Sequence, residues 1–120
     1  MKIKQLIELV EGEVLTTGLD LNRDIRGGCG ADLMSDVLAY ISPDAVLLTG
    51  LCSAQVVRTA QMADISAIVF VRGKRPSQDT VELANREGIP LITSRHGMFE
   101  LCGRLYKADL RSLESPSQGQ

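Results

Sequence analysis

Ala45-Val-Leu-Leu-Thr49, Ala67-Ile-Val-Phe-Val71 and Pro90-Leu-Ile-Thr93 are short apolar runs, each followed by a turn of small or basic residues and then by an amphipathic stretch. They are too short for helices, and they are apolar at odd and even positions alike, as strands covered on both faces must be. Repetition of this cycle between Ala45 and Leu105 predicts an α/β fold, a layered domain with a mainly parallel sheet of short strands flanked by helices. In open sheets of this kind, ligands bind beyond the carboxyl ends of the strands, and basic residues of this chain cluster in those turns.

Outward from this core the pattern is weaker. Ile3, Leu6, Ile7 and Val10 share one helical face, and Gly12 supplies a stop. Glu13-Val-Leu-Thr-Thr17 alternates as a strand does. Gly18 to Arg23 has turn chemistry, and Asp24-Ile-Arg-Gly27 is a second strand candidate that leads into Gly28-Cys-Gly30. This pair would add antiparallel or mixed strands. Asp32 to Ile41 has a helical period, broken at Ser42-Pro43-Asp44. Ser53 is placed to cap a helix from Ala54 to Met62, and Ser77 or Gln78 opens another that Glu87-Gly88 ends. A last helix is expected from Gly97 to Lys107. Residues 1–112 read as one domain, and 113–120, with no apolar residue after Leu113, as a disordered tail.

Composition excludes several classes of function. A length of 120 residues suits one domain that buries a core without disulfides or metal. A net charge of -2 with both signs interspersed gives no field for nucleic acid or an anionic membrane, and 3% aromatic residues leave no stacking platform for single strands. The apolar runs are far below the roughly 20 residues that span a bilayer, and Met1-Lys-Ile-Lys-Gln opens without a signal sequence, so a cytoplasmic protein is expected. Cys29, Cys52 and Cys102 are odd in number and include no Cys-x-x-Cys pair, which argues against a disulfide framework or zinc site. They read as small buried or half-buried side chains. No cofactor is expected.

The chemistry is sought in the turns. Arg26-Gly-Gly-Cys-Gly-Ala-Asp32 reads as a glycine-rich turn between strand and helix, where amides around Gly28 are placed either to hold an anion or simply to turn the chain. It lacks the order of a dinucleotide or mononucleotide phosphate loop, and Asp32 would repel an anion. Thr49 and Ser53 offer hydroxyls after the strand from Ala45, with helix capping as the alternative for Ser53. Arg72-Gly73-Lys74-Arg75 is the densest basic run, either an anion site or a solvated loop. Thr93-Ser94-Arg95-His96-Gly97 carries two hydroxyls, a guanidinium and the chain's one imidazole. Because no Asp or Glu in this loop orients His96, a hydrogen bond to a ligand or a surface position is favoured over catalysis. One His without spaced Cys or His companions does not make a zinc site.

The block Val46-Leu-Leu-Thr-Gly50, the helix Gln55 to Ala63, Ile65-Ser-Ala-Ile-Val-Phe-Val-Arg-Gly-Lys-Arg-Pro76, the stretch Val81 to Ser94 with its Gly-Ile-Pro turn, and Met98-Phe-Glu-Leu-Cys-Gly-Arg-Leu105 together resemble the DRTGG domain family. The likeness runs from about Leu6 to Leu105. The Asp-Arg expected of that family falls near Leu51-Cys52-Ser53, and its Thr-Gly-Gly corresponds to Val71-Arg72-Gly73, of which Gly73 alone is kept. A neutral glycine turn is thus replaced by a cationic one. The resemblance implies a fold like the amino-terminal domain of HPr kinase and a regulatory rather than catalytic role, because such domains stand beside CBS, phosphotransacetylase and cobyrinic-acid-synthase-like domains. Fold likeness does not transfer the kinase's activity.

The expected function is therefore a non-catalytic regulatory or assembly module, a homodimer, that binds an anionic small molecule such as a nucleotide or phosphorylated metabolite. Its candidate residues are Arg26, Gly28, Thr49, Ser53, Arg72, Gly73, Lys74, Arg75, Ser94, Arg95 and His96. The alternatives are a protein-interaction module without a small ligand, pairing through a sheet edge at Glu13 to Thr17 or Asp24 to Gly27, and a small enzyme using His96. The anion reading requires the cations to converge on one surface.

Overall fold

The computed structural model describes residues 1–117. Strands β1 (Glu13–Val14), β2 (Gly27–Gly30), β3 (Ala45–Thr49), β4 (Ala67–Phe70) and β5 (Leu91–Thr93) form one sheet in the order β1-β5-β4-β3-β2. Strands β2 to β5 are mutually parallel, and β1 runs antiparallel to β5. The helices are α1 (Ile3–Val10), α2 (Met34–Tyr40), α3 (Ala54–Met62), α4 (Gln78–Glu87) and α5 (Met98–Lys107).

Alternation along the strands explains the layers. Leu47, Ile68, Phe70 and Leu91 face α2, α3 and α4, meeting Val37, Val56, Val57, Ala60 and Ala84. Their neighbours Val46, Leu48, Val69 and Ile92 face the other way, onto Ile3, Leu6 and Val10 of α1 and Leu101 and Leu105 of α5. Helices therefore cover both faces, which is why the runs are apolar at every position. The architecture is the α/β one that the repeated cycle predicts, a mostly parallel sheet with one antiparallel strand.

Two expectations about the periphery are corrected. Residues expected to turn, Gly28 to Gly30, are strand β2, while Asp24 and Ile25 pair with the chain's amino terminus through Lys2 and the Ile25 N–H, which donates to the Met1 carbonyl at 2.8 Å. The glycines are there because another segment lies close against them. The Gly28 N–H donates to the Arg111 carbonyl at 2.8 Å and the Leu113 N–H to the Gly28 carbonyl at 3.0 Å. A Cβ on Gly27 would stand 2.5 Å from the Arg111 oxygen and 2.6 Å from Leu113 Cγ.

The same contacts correct the expected disordered tail. Leu113 is buried, the Ser115 N–H donates to the Tyr40 carbonyl at 2.8 Å, and Glu114 Oε2 accepts from the Gly30 N–H at 3.0 Å. A strand edge leaves backbone groups that need partners, and residues 111–114 supply them. The edge at Asp24 to Gly27 is thereby occupied by the chain itself. Positions 118–120 of the expected tail lie outside the described residues.

Turn chemistry also differs in detail. The left-handed residue that ends α1 is Glu11 (φ 51°), not Gly12, whose lack of a Cβ instead accommodates Ile92, since a Cβ there would lie 2.4 Å from Ile92 Cγ2. Ser77 caps α4, its Oγ accepting from the Thr80 N–H at 3.3 Å, whereas Ser53 holds the cap position of α3 with no side-chain cap bond.

Candidate functional site

The carboxyl ends of the parallel strands meet in one band of turns. After β4 the chain reverses through Val71-Arg72-Gly73-Lys74, closed by the Lys74 N–H donating to the Val71 carbonyl at 3.2 Å. Both central residues have left-handed backbone, Arg72 at φ 59° and Gly73 at φ 71°. Glycine adopts that conformation freely; arginine carries a steric cost of about 1 kcal/mol from its Cβ. The turn is clamped to the loop after β5, with the Arg72 N–H donating to the His96 carbonyl at 2.8 Å and the Gly73 N–H to the Ser94 carbonyl at 2.7 Å. Arg72 Cγ lies 4.0 Å from where a Cβ on Gly97, the cap of α5, would stand.

Lys74 reaches the other way, over the end of β3. Its Nζ lies 3.6 Å from the place a Cβ on Gly50 would take, with Asp32 Oδ1 at 3.7 Å from the same point. Asp32 accepts from the Gly50 N–H at 2.8 Å and the Thr49 hydroxyl at 2.9 Å. Those donors, the Gly50 amide first, hold its carboxyl below the usual carboxylate range. The protein's own anion therefore occupies this cradle.

Convergence of the sequence-derived residues is partial. Arg72, Gly73, Lys74, Arg95 and Ser53 are exposed in the band of turns, and Arg72, Lys74 and Arg95 make no ion pair among the described residues. Gly73, Arg75 and Arg95 line a shallow depression of about 350 Å³ together with Glu11 and Glu13. Arg75 is held there by Glu13. The Thr49 and Ser94 hydroxyls are buried and committed, the latter donating to the Val10 carbonyl at 2.7 Å and accepting from the His96 N–H at 3.2 Å. Arg26 is not brought to this band: it precedes β2, at the amino end of the sheet, and faces Asp44 at 3.6 Å. Gly28 lies within β2, against Arg111.

Residues outside the candidate set complete the surroundings. His96 lacks a carboxylate in its own loop, but the fold supplies one from the end of α1: Nε2 stands 2.8 Å from Glu11 Oε1. Arg104 Nη1 meets the same oxygen at 2.9 Å, and its Nε reaches Glu100 at 2.7 Å. The His96 ring and the Arg104 guanidinium hold the Glu11 carboxyl below its ordinary range. Nothing in the sequence links Glu11 to His96, which lie 85 positions apart. Cys29 is buried and its thiol is pushed up to about 12 by that burial, so it is no nucleophile at neutral pH. Among the described residues no group of three or more His, Cys, Asp or Glu side chains is placed to hold a metal ion, and no helix is long and apolar enough to cross a membrane.

This geometry has relatives. The chain resembles the CBS and DRTGG domains of the regulatory region of Clostridium perfringens pyrophosphatase, whose crystal structure is a complex with the activator diadenosine tetraphosphate. The TM-score is 0.71 at 17% identity, over 98% of this chain and 51% of that one. The chain thus spans about half the length of that relative, and the likeness establishes the fold. Comparison with curated proteins gives no match. The family model for the DRTGG domain matches residues 5–108. With that match across most of its length and the fold in agreement, the chain belongs to the DRTGG domain family.

Proposed function

We propose that this regulatory domain binds an anionic, phosphorylated small molecule, a nucleotide or a phosphorylated metabolite, at the carboxyl edge of its sheet through Arg72, Lys74 and Arg95. The observation that carries this reading is the backbone of Arg72. A left-handed position that, on the resemblance, the family pattern fills with glycine is filled here by an exposed arginine with no ion-pair partner among the described residues. Such backbone persists where the surrounding structure holds it, and it clusters at ligand-binding turns; Glu11, Asp44, Asp64 and Asp109 share it, and among these described residues Arg72 is the one that carries a cation. The guanidinium presents planar donors suited to phosphate oxygens, and the clamp to the His96 and Ser94 carbonyls fixes the turn before any ligand arrives. The regulatory setting of the pyrophosphatase relative, with its nucleotide activator, supports a sensing role.

The test is calorimetric titration with nucleotides and phosphorylated metabolites at low and raised salt. Binding should weaken with salt, and Arg72→Ala should remove about 1.5 to 3 kcal/mol, the worth of a hydrogen bond to a charged group. Arg26→Ala, at the opposite end of the sheet, should bind as the parent does. Absence of binding across the panel, or equal losses in both variants, overturns the reading.

A further inference from the structure

His96 carries the chain's one imidazole, and the fold joins it to the cationic turn on one side and to two helices on the other. Its carbonyl accepts the Arg72 N–H at 2.8 Å, and its own N–H donates to the Ser94 hydroxyl at 3.2 Å. Its ring meets Glu11 Oε1, at the end of α1, through Nε2 at 2.8 Å. The same oxygen accepts from Arg104 Nη1 of α5, which also donates to the Leu9 carbonyl at 3.2 Å, while Arg104 Nε donates to Glu100 at 2.7 Å. Glu11 lines the shallow depression that Gly73 and Arg95 also line. The partner of the ring is therefore part of the wall beside the cationic turns.

The charges of this cluster balance once the ring is protonated. Glu11 and Glu100 outnumber Arg104 by one, so beside a neutral imidazole the cluster carries one excess negative charge, which repels an anion at Arg72 and Arg95. The His96 ring and Arg104 hold the Glu11 carboxyl below its ordinary range, Arg104 does the same for Glu100, and the two carboxylates raise the guanidinium in turn. Those three groups keep their charges through neutral pH. Arg72, from the turn after β4, and Arg95, in the loop of His96 itself, are guanidinium groups and stay cationic throughout. Imidazole is the group that titrates in this range.

The partner decides which atom takes the proton. An ionised carboxylate accepts hydrogen bonds and donates none, so Nε2 carries the hydrogen of the neutral ring and Nδ1 is the atom that gains one. Uptake at Nδ1 leaves the bond to Glu11 in place and adds charge to it. The loop that clamps Arg72 is thereby kept in both states, and what changes is the charge of the wall.

We infer that His96 makes the site proton-linked: an anion is held more tightly when His96 is protonated at Nδ1, and binding of the anion draws that proton in. This rests on the anion site proposed above and adds its regulation by pH. The linkage is reciprocal, since the factor by which the proton favours the anion is the factor by which the anion favours the proton. One added charge among neighbouring side chains, screened by physiological salt, should change affinity about three- to tenfold.

Sulfate is the probe, because it stays a dianion over the range in which imidazole titrates, so any pH dependence belongs to the protein. The full chain is titrated at constant ionic strength and followed by NMR. The Gly73 and Lys74 amides report occupancy, and Hε1 of the one imidazole reports its charge. At about pH 6.5 sulfate should move the Hε1 resonance toward its protonated position, and affinity should rise about three- to tenfold from about pH 8 to about pH 6. His96→Gln, which keeps a donor for Glu11 but takes up no proton, should flatten that dependence. Glu11→Gln removes the excess negative charge, so its affinity at about pH 8 should approach that of the parent at about pH 6. Turn amides that do not respond to sulfate would overturn the anion site and this inference together. Turn amides that respond equally at both pH values, with an unmoved imidazole resonance, would leave the anion site standing and overturn its link to the proton.

Discussion

The two ends of the parallel sheet carry the same kinds of residue and are built in opposite ways. At the amino end Arg26 stands against Asp44, Asp24 against Lys2, and the glycines of β2 lie against the backbone of Arg111. That end is closed by packing and neutralised by pairing. At the carboxyl end Arg72, Lys74 and Arg95 stand in exposed turns with no ion-pair partner among the described residues. A cation count along the sequence cannot distinguish these ends. What separates them is which charges are already satisfied, and only the unsatisfied ones are available to a ligand.

The sharpest way to break the closed end is Gly27→Ala. The added Cβ meets a backbone carbonyl oxygen at 2.5 Å, not the movable end of a side chain. Overpacking of this kind should cost about 1 to 3 kcal/mol, read as a lowered denaturation midpoint at unchanged slope, and residues 111–115 should lose amide protection first. A midpoint equal to the parent's would show that the terminal segment is not held as described.

At the open end Arg72→Gly separates stability from binding. Relief of the left-handed strain should raise stability by about 1 kcal/mol, while the loss of the guanidinium should weaken any phosphorylated ligand as Arg72→Ala does. A variant that gains stability and keeps full affinity would remove Arg72 from the site. The parent's arginine would then be strained for no reason that the structure shows.

The smallest expected effect concerns acid. Asp32 has a lowered folded-state pKa, so its contribution to stability is present above the ordinary aspartate value of about 3.9 and is lost as pH falls through the lower folded value. Asp32→Asn should flatten that acid limb of the stability profile, measured by thermal midpoint between about pH 5 and pH 2. An unchanged limb would mean that the Gly50 and Thr49 hydrogen bonds contribute nothing through the charge of Asp32.

Legibility in the sequence followed the range of the interactions. The strands β3, β4 and β5 were readable because burial on both faces writes an apolar residue at every position. The caps and stops at Ser77 and Gly88 were readable because they act over three or four residues. Strand β2 is hard to place because Gly27-Gly-Cys-Gly30 has no side-chain alternation to read, and the segment that covers its outer edge begins more than eighty positions later. The Glu11 contact to His96 was invisible for the same reason. The exposed rings of α5 did have a local signal, since Phe99 and Tyr106 recur seven residues apart, two turns of helix, while Leu101 and Leu105 are buried. Such a face shows only once that helix has been docked.

The sequence by itself determined the repeated α/β cycle, the helices on both faces of the sheet, and the concentration of basic residues in the turns after the strands. These depend on periodicity and on near neighbours along the chain. Only the tertiary structure decided that Arg26 is neutralised far from Arg72, that the segment after Leu110 seals the β2 edge, that Glu11 meets His96, and that Phe99 and Tyr106 are left uncovered. Each of these depends on which distant segments the folded backbone brings within a few ångströms, because hydrogen bonds, ion pairs and packing contacts act through space rather than along the sequence.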